Sequence, residues 1–458
     1  MSKSPTTEAP TTKTAMVKVL GCKVNQAEAA AMERILREAG YAVDPASDSP
    51  DMIVVHTCCV TQKAEGKARR LVKQLSDKHP TAKFILTGCL AQVNPDALDR
   101  IPNPHLVIGT ADRDRFAALI DAGGWGTGVG RRVPSSHART CTDLGVGILA
   151  GRGRAFLKIQ DGCSQRCTYC IVPQARGPAR SLPLPNVMAN ALALEHSGCA
   201  EIVLTGVHIG AYGSDLADGV RLENLVEALL HACPSVRLRL SSVEPQEITP
   251  GLIDLVADHP RVCKHLHMPV QSADDTILHR MGRPYDATSV HELLGTVRRR
   301  IPDLCVGMDI MVGFPGEDDR AFEKTREFIE RSCAAYAHVF PFSARPGTPA
   351  ASFVPRIPRG EAVRRVESLR TLSAELRKRF YLRFLGRVLD AVVESSPSES
   401  GRTVNARTDN YILVTCDKPS LDHLDASVRV VPERVEDGRV WGRLHADTGQ
   451  GLRCSGAG

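Results

Sequence analysis

Between residues 14 and 132 short apolar runs alternate with stretches of helical periodicity. Runs at 16–20, 52–55 and 84–86 read as strands, and the patterns at 27–38 and 65–77 read as helices. Units of about 30 residues are those of a βαβ repeat, so a parallel α/β sheet is expected here. A glycine-rich stretch at 123–130 reads as a linker. A second α/β segment follows, with strand candidates at 155–159, 202–205, 237–241, 265–270, 306–312 and 338–342. Six strands with helical patterns between them suit a partial (β/α) barrel, although spacing alone leaves an open sheet possible. Beyond it, runs at 388–394, 411–415 and 427–431 with Ser/Gly turns suit a β-barrel of about 60 residues. The expected fold class is α/β with a small all-β domain, divided at 14–132, 149–378 and 379–446. No internal repeat stands out, and the tail at 448–458 reads as disordered.

Composition narrows the class. The chain has 458 residues, 43% hydrophobic and 24% charged, which excludes a disordered or fibrous protein. No apolar run approaches the roughly 20 residues of a membrane helix. The first fifteen residues are polar and lack the apolar core of a signal peptide, so a soluble, cytoplasmic protein with a short disordered leader is expected. The net charge of +6 is too small to establish a nucleic-acid partner by itself. Its distribution says more, because residues 356–387 hold ten Arg or Lys against three Glu. That stretch suits phosphate contacts, and equally a solvated amphipathic helix packed on the barrel.

Fifteen cysteines are too dilute for a disulfide scaffold and point to metal or redox chemistry. The run DGCSQRCTYC places Cys163, Cys167 and Cys170 in a Cys-x3-Cys-x2-Cys array just after a strand. Thiolates so spaced can wrap one iron–sulfur cube, and three ligands for four irons leave one iron open for chemistry. A zinc site would want a nearby fourth ligand, which the local sequence lacks, though a distant Cys or His could serve. The array resembles that of the radical S-adenosylmethionine (SAM) superfamily. The resemblance implies a 4Fe-4S cluster that binds SAM and cleaves it reductively to a 5′-deoxyadenosyl radical. Tyr169 matches the aromatic residue usual before the last cysteine. LTGVHIGAYG stands where the superfamily has a glycine segment that contacts SAM, which implies a backbone contact at Gly206. The segment lacks the usual acidic residue.

Cys22, Cys58 and Cys89 each stand just beyond one of the three N-terminal runs. The carboxyl ends of parallel strands share one edge, so these cysteines can converge on a second metal cluster despite their separation. Cys59 adjoins Cys58 and would point to the opposite face if the chain were still extended there. The other eight cysteines show no paired spacing and read as buried small residues or incidental thiols.

GCKVNQAE, HTCCVT and GCLAQ, with SSVEPQEIT, CKHLHMPVQSADD, VGFPGE and FPFSARPGTPAA, resemble the radical SAM methylthiotransferases over nearly the whole chain. His56 stands where that family usually has Asn, and SADD replaces Ser-Gly-Ser-Asp. The resemblance implies a doubly wound N-terminal domain, a central (β/α)6 barrel and a C-terminal TRAM domain that binds RNA. It also implies two 4Fe-4S clusters, on Cys22, Cys58 and Cys89 and on Cys163, Cys167 and Cys170, with SAM as methyl donor and radical source. GCKVNQAE and ARGPARS resemble the branch that methylthiolates C2 of N6-threonylcarbamoyladenosine beside the tRNA anticodon. The implied partners are a tRNA anticodon loop, an external electron donor and a sulfur source, with neither DNA nor membrane. Arg176 and Arg180 are candidate contacts for the threonylcarbamoyl carboxylate, because a guanidinium fork can bind both its oxygens; holding SAM, the cluster loop or tRNA phosphates is the alternative. Rival functions are methylthiolation of isopentenyladenosine tRNA or of a ribosomal-protein aspartate, and a redox-sensing RNA-binding regulator.

Overall fold

A computed structural model describes residues 13–99, 104–121, 130–132, 138–147, 153–395, 403–417 and 426–445. The expected leader, most of the glycine-rich linker and the tail lie outside the described residues. Strands β1 (Thr14–Val19), β2 (Ala42–Val43), β3 (Met52–Thr57), β4 (Lys83–Gly88), β5 (Pro104–Ile108) and β6 (Gly130–Arg132) form one sheet in the order β2-β1-β3-β4-β5-β6. Every pair is parallel. The expected runs are β1, β3 and β4; β2 and β6 are too short to leave a pattern in the sequence.

Alternation along β3 explains why the sheet is covered on both sides. Met52 and Val54 pack with Ala29, Met32 and Leu36 of the helix Lys23–Glu38. Ile53 and Val55 pack with Ala68, Val72 and Leu75 of the helix Gln62–Lys78. Successive strand residues face opposite sides, so an unbroken apolar run demands a layer on each face. The chain leaves β1 for β2 on one flank and returns to β3 on the other. The order therefore reverses between β1 and β3, where parallel sheets open a crevice at their carboxyl edge.

The central segment contains β7 (Arg154–Lys158), β8 (Gln160–Asp161), β9 (Arg180–Ser181), β10 (Glu201–Thr205), β11 (Arg237–Leu240), β12 (His265–Gln271), β13 (Cys305–Val312) and β14 (Ala334–Pro341). The six longer strands correspond to the six expected. They form two parallel three-stranded sheets, β7-β10-β11 and β12-β13-β14, joined by an isolated bridge between Ser242 and His267. One face is apolar and packs under the helices, with Leu157, Leu204, Leu240, Leu266, Met308 and Val339 in a single core. The alternate positions, Arg154, Glu201, Arg239, His267, Asp309 and His338, make the opposite face polar. Here β8 and β9 pair antiparallel at the end of β7.

The basic stretch is a helix, Arg359–Leu382, laid on the central segment through Val366, Leu369, Leu372 and Leu376. Strands β15 (Leu389–Ser395), β16 (Thr403–Thr408), β17 (Leu413–Asp417), β18 (Ser427–Glu436) and β19 (Arg439–Leu444) close into a five-stranded barrel, two strands more than expected. It docks where β11 and β12 begin: Arg239 donates to Thr408 O at 2.9 Å and Asp409 O at 2.8 Å, and His265 stacks on Tyr411 at 4.0 Å. No described helix is long and apolar enough to cross a membrane.

Candidate active site

Cys22, Cys58 and Cys89 lie at the carboxyl ends of the adjacent strands β1, β3 and β4. Cys22 caps the helix Lys23–Glu38, and Cys89 opens the helix Cys89–Val93. A glycine precedes each for a steric reason. Gly21 has φ +113°, and a side chain there would come within 2.9 Å of Cys58 Cβ. Gly88 has φ +97°, and a Cβ would meet Thr57 O at 2.3 Å. Asn25 ties the edge together, donating to Leu20 O at 2.7 Å and Thr57 O at 3.1 Å while accepting from the Cys22 thiol at 3.6 Å.

Cys59 does not turn away from this edge. Strand β3 ends at Thr57, so the extended geometry behind that expectation has lapsed. Cys59 instead hydrogen-bonds Cys89, and that contact, working against burial and aided by Arg176, holds the Cys89 thiol below its usual range. Burial pushes Cys58 up to about 12.

Behind the cysteines lies a closed charge network. Glu28 receives His56 Nε2 at 3.0 Å, Lys158 at 3.1 Å and Arg176 at 3.1 Å, and it pairs with Arg113. Asp161 receives Arg176 at 2.7 Å and Arg113 at 3.1 Å. All six side chains are buried. Burial opposes both carboxylates, but the cations outweigh it, led by Arg113 at Glu28 and by Arg176 at Asp161. Glu28 is held well below the carboxylate range and Asp161 at about 2. Sequence reasoning missed this network. Its signals were single charges in apolar surroundings, Glu28 within AEAAAM and His56 within MIVVHT.

The second set follows β8 on a loop. Gly162 opens it at φ +72°, where a Cβ would strike Pro178 O at 2.0 Å. Cys163 N donates to Gly177 O at 3.0 Å, and Thr168 N to Met281 O at 2.9 Å. Arg283 donates to Cys167 Sγ at 3.2 Å and pairs with Glu244; His208 Nδ1 lies 3.7 Å from Cys163 Sγ and its Nε2 2.6 Å from Glu247. Tyr169 packs edge-on against Phe314 at 6.5 Å. Gly206 follows β10, where a Cβ would meet Gln160 Oε1 at 3.0 Å. Arg283, His208, Glu244 and Glu247 were not foreseen, since each is an isolated residue in the sequence. All six candidate ligands are free thiols, and within each set they lie close enough to influence one another's ionisation. Two trios of soft donors, each gathered at strand ends, suit iron–sulfur clusters.

Arg176 joins the two sets. From the short helix Val172–Arg176, six residues past Cys170, its Nε donates to Cys89 Sγ at 3.3 Å. Its Nη atoms serve Glu28, Asp161 and Asn25. All five N–H groups are thus occupied, leaving none for a substrate carboxylate. Arg180 is also buried and donates to Ala138 O at 2.5 Å and Arg176 O at 2.6 Å. Arg176 therefore has no donor left for the expected substrate contact, while Arg180, whose Nε has no hydrogen-bond partner among the described residues, lies buried against two main-chain carbonyls.

A cleft of about 840 Å³ opens beside the cysteine edge, between the start of the helix Gln62–Lys78, the ends of β13 and β14 and the helix Arg359–Leu382. Lys63, Arg356, Arg359 and Arg370 line it with Phe340 and Phe342.

Comparison with known proteins agrees with this geometry. Residues 14–109 match the model of the uncharacterized protein family UPF0004, and residues 157–329 that of the radical SAM superfamily. The chain is 35% identical over 403 residues to the threonylcarbamoyladenosine tRNA methylthiotransferase MtaB of Bacillus subtilis, covering 86% of this chain and 88% of the relative. It is 31% identical over 407 residues to the tRNA-2-methylthio-N(6)-dimethylallyladenosine synthase of Corynebacterium urealyticum, covering 86% and 75%. Among solved structures, the radical SAM methyltransferase TsrM of Kitasatospora setae superposes with a TM-score of 0.54 over 74% of each chain at 15% identity, a likeness of fold. With a cysteine trio in each matched region and relatives this similar over most of its length, the chain belongs to the radical SAM methylthiotransferase family.

Proposed function

We propose that this enzyme methylthiolates C2 of N6-threonylcarbamoyladenosine beside the anticodon of tRNA, working in the cytoplasm. The domains on this reading are an N-terminal methylthiotransferase domain (14–132), a (β/α)6 radical SAM barrel (149–378) and a TRAM domain (379–446). The observation that carries it is the bridge from Arg176 to Cys89, which ties the loop of one cysteine trio to the other. Cys163, Cys167 and Cys170 would hold one 4Fe-4S cluster, and Cys22, Cys58 and Cys89 the other. Bound there, the clusters supply the electron that cleaves SAM reductively and the sulfur that is methylated and transferred, with an external electron donor and sulfur source as partners. The protein's own residues position. Arg283 steadies the Cys167 sulfur, and the missing Cβ of Gly206 lets the segment after β10, the proposed SAM contact, pack against Gln160 and Ile209. Arg176, Glu28 and Asp161 fill the space behind the N-terminal cysteines and exclude water from it. Similarity to relatives named for threonylcarbamoyladenosine supports the substrate branch.

The test is anaerobic reconstitution followed by nucleoside analysis. Cys163→Ala, Cys167→Ala and Cys170→Ala should each lose 5′-deoxyadenosine formation. Cys22→Ala, Cys58→Ala and Cys89→Ala should keep it yet form no methylthio nucleoside. Either change should remove about four irons from about eight. Undiminished 5′-deoxyadenosine in all three variants of the first group would sink the ligand assignment. Equal or greater methylthiolation of isopentenyladenosine tRNA would overturn the branch.

A further inference from the structure

Every Arg176 donor is taken and Arg180 is buried behind it, so another cation is sought for a substrate carboxylate. Lys23 directly follows Cys22 and begins the helix Lys23–Glu38. It is half-buried, and among the described residues it makes neither an ion pair nor a hydrogen bond. Its charge faces Arg154 of β7, Arg239 of β11, Asp309 of β13 and Glu201 of β10. Those carboxylates are already taken. Glu201 receives Arg237 at 2.7 Å, Arg239 at 2.8 Å and Arg154 at 3.2 Å. Asp309 Oδ1 holds His267 at 3.0 Å and His338 at 3.4 Å. Glu394 takes Arg154 and Arg407. Arg154, Arg237, Arg239 and Arg407 are thus paired with Glu201 or Glu394, and Arg237 and Arg239 also face Asp409, whereas Lys23 makes no ion pair among the described residues.

We propose that Lys23 receives the carboxylate of the threonylcarbamoyl group, and that the polar face of the central strands is the pocket for that substituent. The proposal rests on the substrate reading above. C2 of the adenine must face the two cysteine trios at the strand ends. The N6 substituent leaves the ring in a different direction, and Lys23 starts beside Cys22 yet faces Arg154 and Glu201, the first residues of β7 and β10. A substituent following that path runs along the polar face. A carboxylate there neutralises the unpaired ammonium, whereas an isopentenyl group would desolvate it with no compensating bond.

The experiment measures binding of cluster-loaded enzyme to two anticodon stem–loops. One carries threonylcarbamoyladenosine, and the other is identical except that the carboxylate is a carboxamide. The unaltered enzyme should prefer the carboxylate by about ten- to a hundredfold. Lys23→Gln should bind both at the carboxamide's level with unchanged iron content, and Lys23→Arg should retain most of the preference. A Lys23→Gln protein that keeps the original ratio overturns the proposal, as does an unaltered enzyme that binds both alike. Equal weakening of both stem–loops by Lys23→Gln would assign Lys23 to a phosphate, and a raised KM for SAM without RNA would assign it to SAM; either result also overturns it. Turnover separates the underlying reading: if the unaltered enzyme methylthiolates an isopentenyladenosine stem–loop and leaves threonylcarbamoyladenosine untouched, the substrate branch has failed and the role of Lys23 falls with it.

Discussion

Glu28 shows how one buried carboxylate can govern a site it does not enter. It balances Arg113, Lys158 and Arg176, all three of them buried. Glu28→Ala would strand those cations and should cost about 3–5 kcal/mol, as breaking a buried pair does. Glu38→Ala removes only an exposed partner of Arg34 and should cost less than about 1 kcal/mol. Chemical denaturation of the two variants distinguishes them, and equal losses would mean that the network contributes nothing beyond packing. The pH dependence has a definite sign. Glu28 and Asp161 are depressed in the folded protein, so their contribution is complete above about pH 5 and is lost as pH falls from roughly 4 through the folded values. At this scale the sequence was legible for the cysteines, because thiols just past apolar runs are rare enough to notice. It was misleading for Arg176: the motif placed it correctly near the cluster loop, but nothing local announces that Glu28 and Asn25, some 150 residues earlier, will occupy its donors.

Among the elements, the basic helix Arg359–Leu382 was the ambiguous one, and the packing resolves it into two faces. Val366, Leu369, Leu372 and Leu376 sit in the core, while Arg365 is buried against Glu317, Asp319 and Glu361. Positive charge is left on the cleft side, where Arg359 and Arg370 join Arg356 and Lys63. Replacing those four with Gln should weaken tRNA binding, and the slope of log affinity against log salt should shrink by up to about three to four, because each phosphate contact releases a counterion. Titration at several salt concentrations checks this, and an unchanged slope would place the RNA elsewhere. The long strands were legible because their alternation or unbroken apolar character is a strong signal. Of those that escaped notice, β2 and β6 are too short to show a period and β16 lies among polar residues, whereas the apolar run of β5 was legible and not singled out.

At the scale of the molecule, the small barrel is not a detachable appendage. Phe380 and Phe384 share a core with Cys305 and Tyr336 of the central sheets and with Leu389, Ala406 and Val430 of the small barrel. Arg237 donates to Arg407 O at 2.7 Å, while Arg239 reaches Thr408 O and Asp409 O from its place beside Glu201. Buried guanidiniums that satisfy main-chain carbonyls across an interface make separation costly, because opening it strands both donor and acceptor. Removing the chain past Phe380 would therefore expose apolar surface on the central sheets as well as remove the proposed RNA-binding element, which makes truncation a poor probe of RNA contacts. The two units should unfold together. The chain has two tryptophans, and Trp441 lies in β19 of the small barrel. In a Trp125→Phe background its fluorescence reports that unit alone, while far-UV circular dichroism follows the helices, which belong to the rest of the molecule. The two denaturation curves should coincide. Arg239→Ala should move them to lower denaturant, by about 3–5 kcal/mol, since it leaves Glu201 short of one buried partner, removes the Arg239 donor from Asp409 O and leaves Thr408 O with the Tyr411 N–H. If instead the tryptophan signal changed first in the parent protein, the small barrel would be an independently folding unit, and the buried arginines at the junction would be doing no more than orienting it.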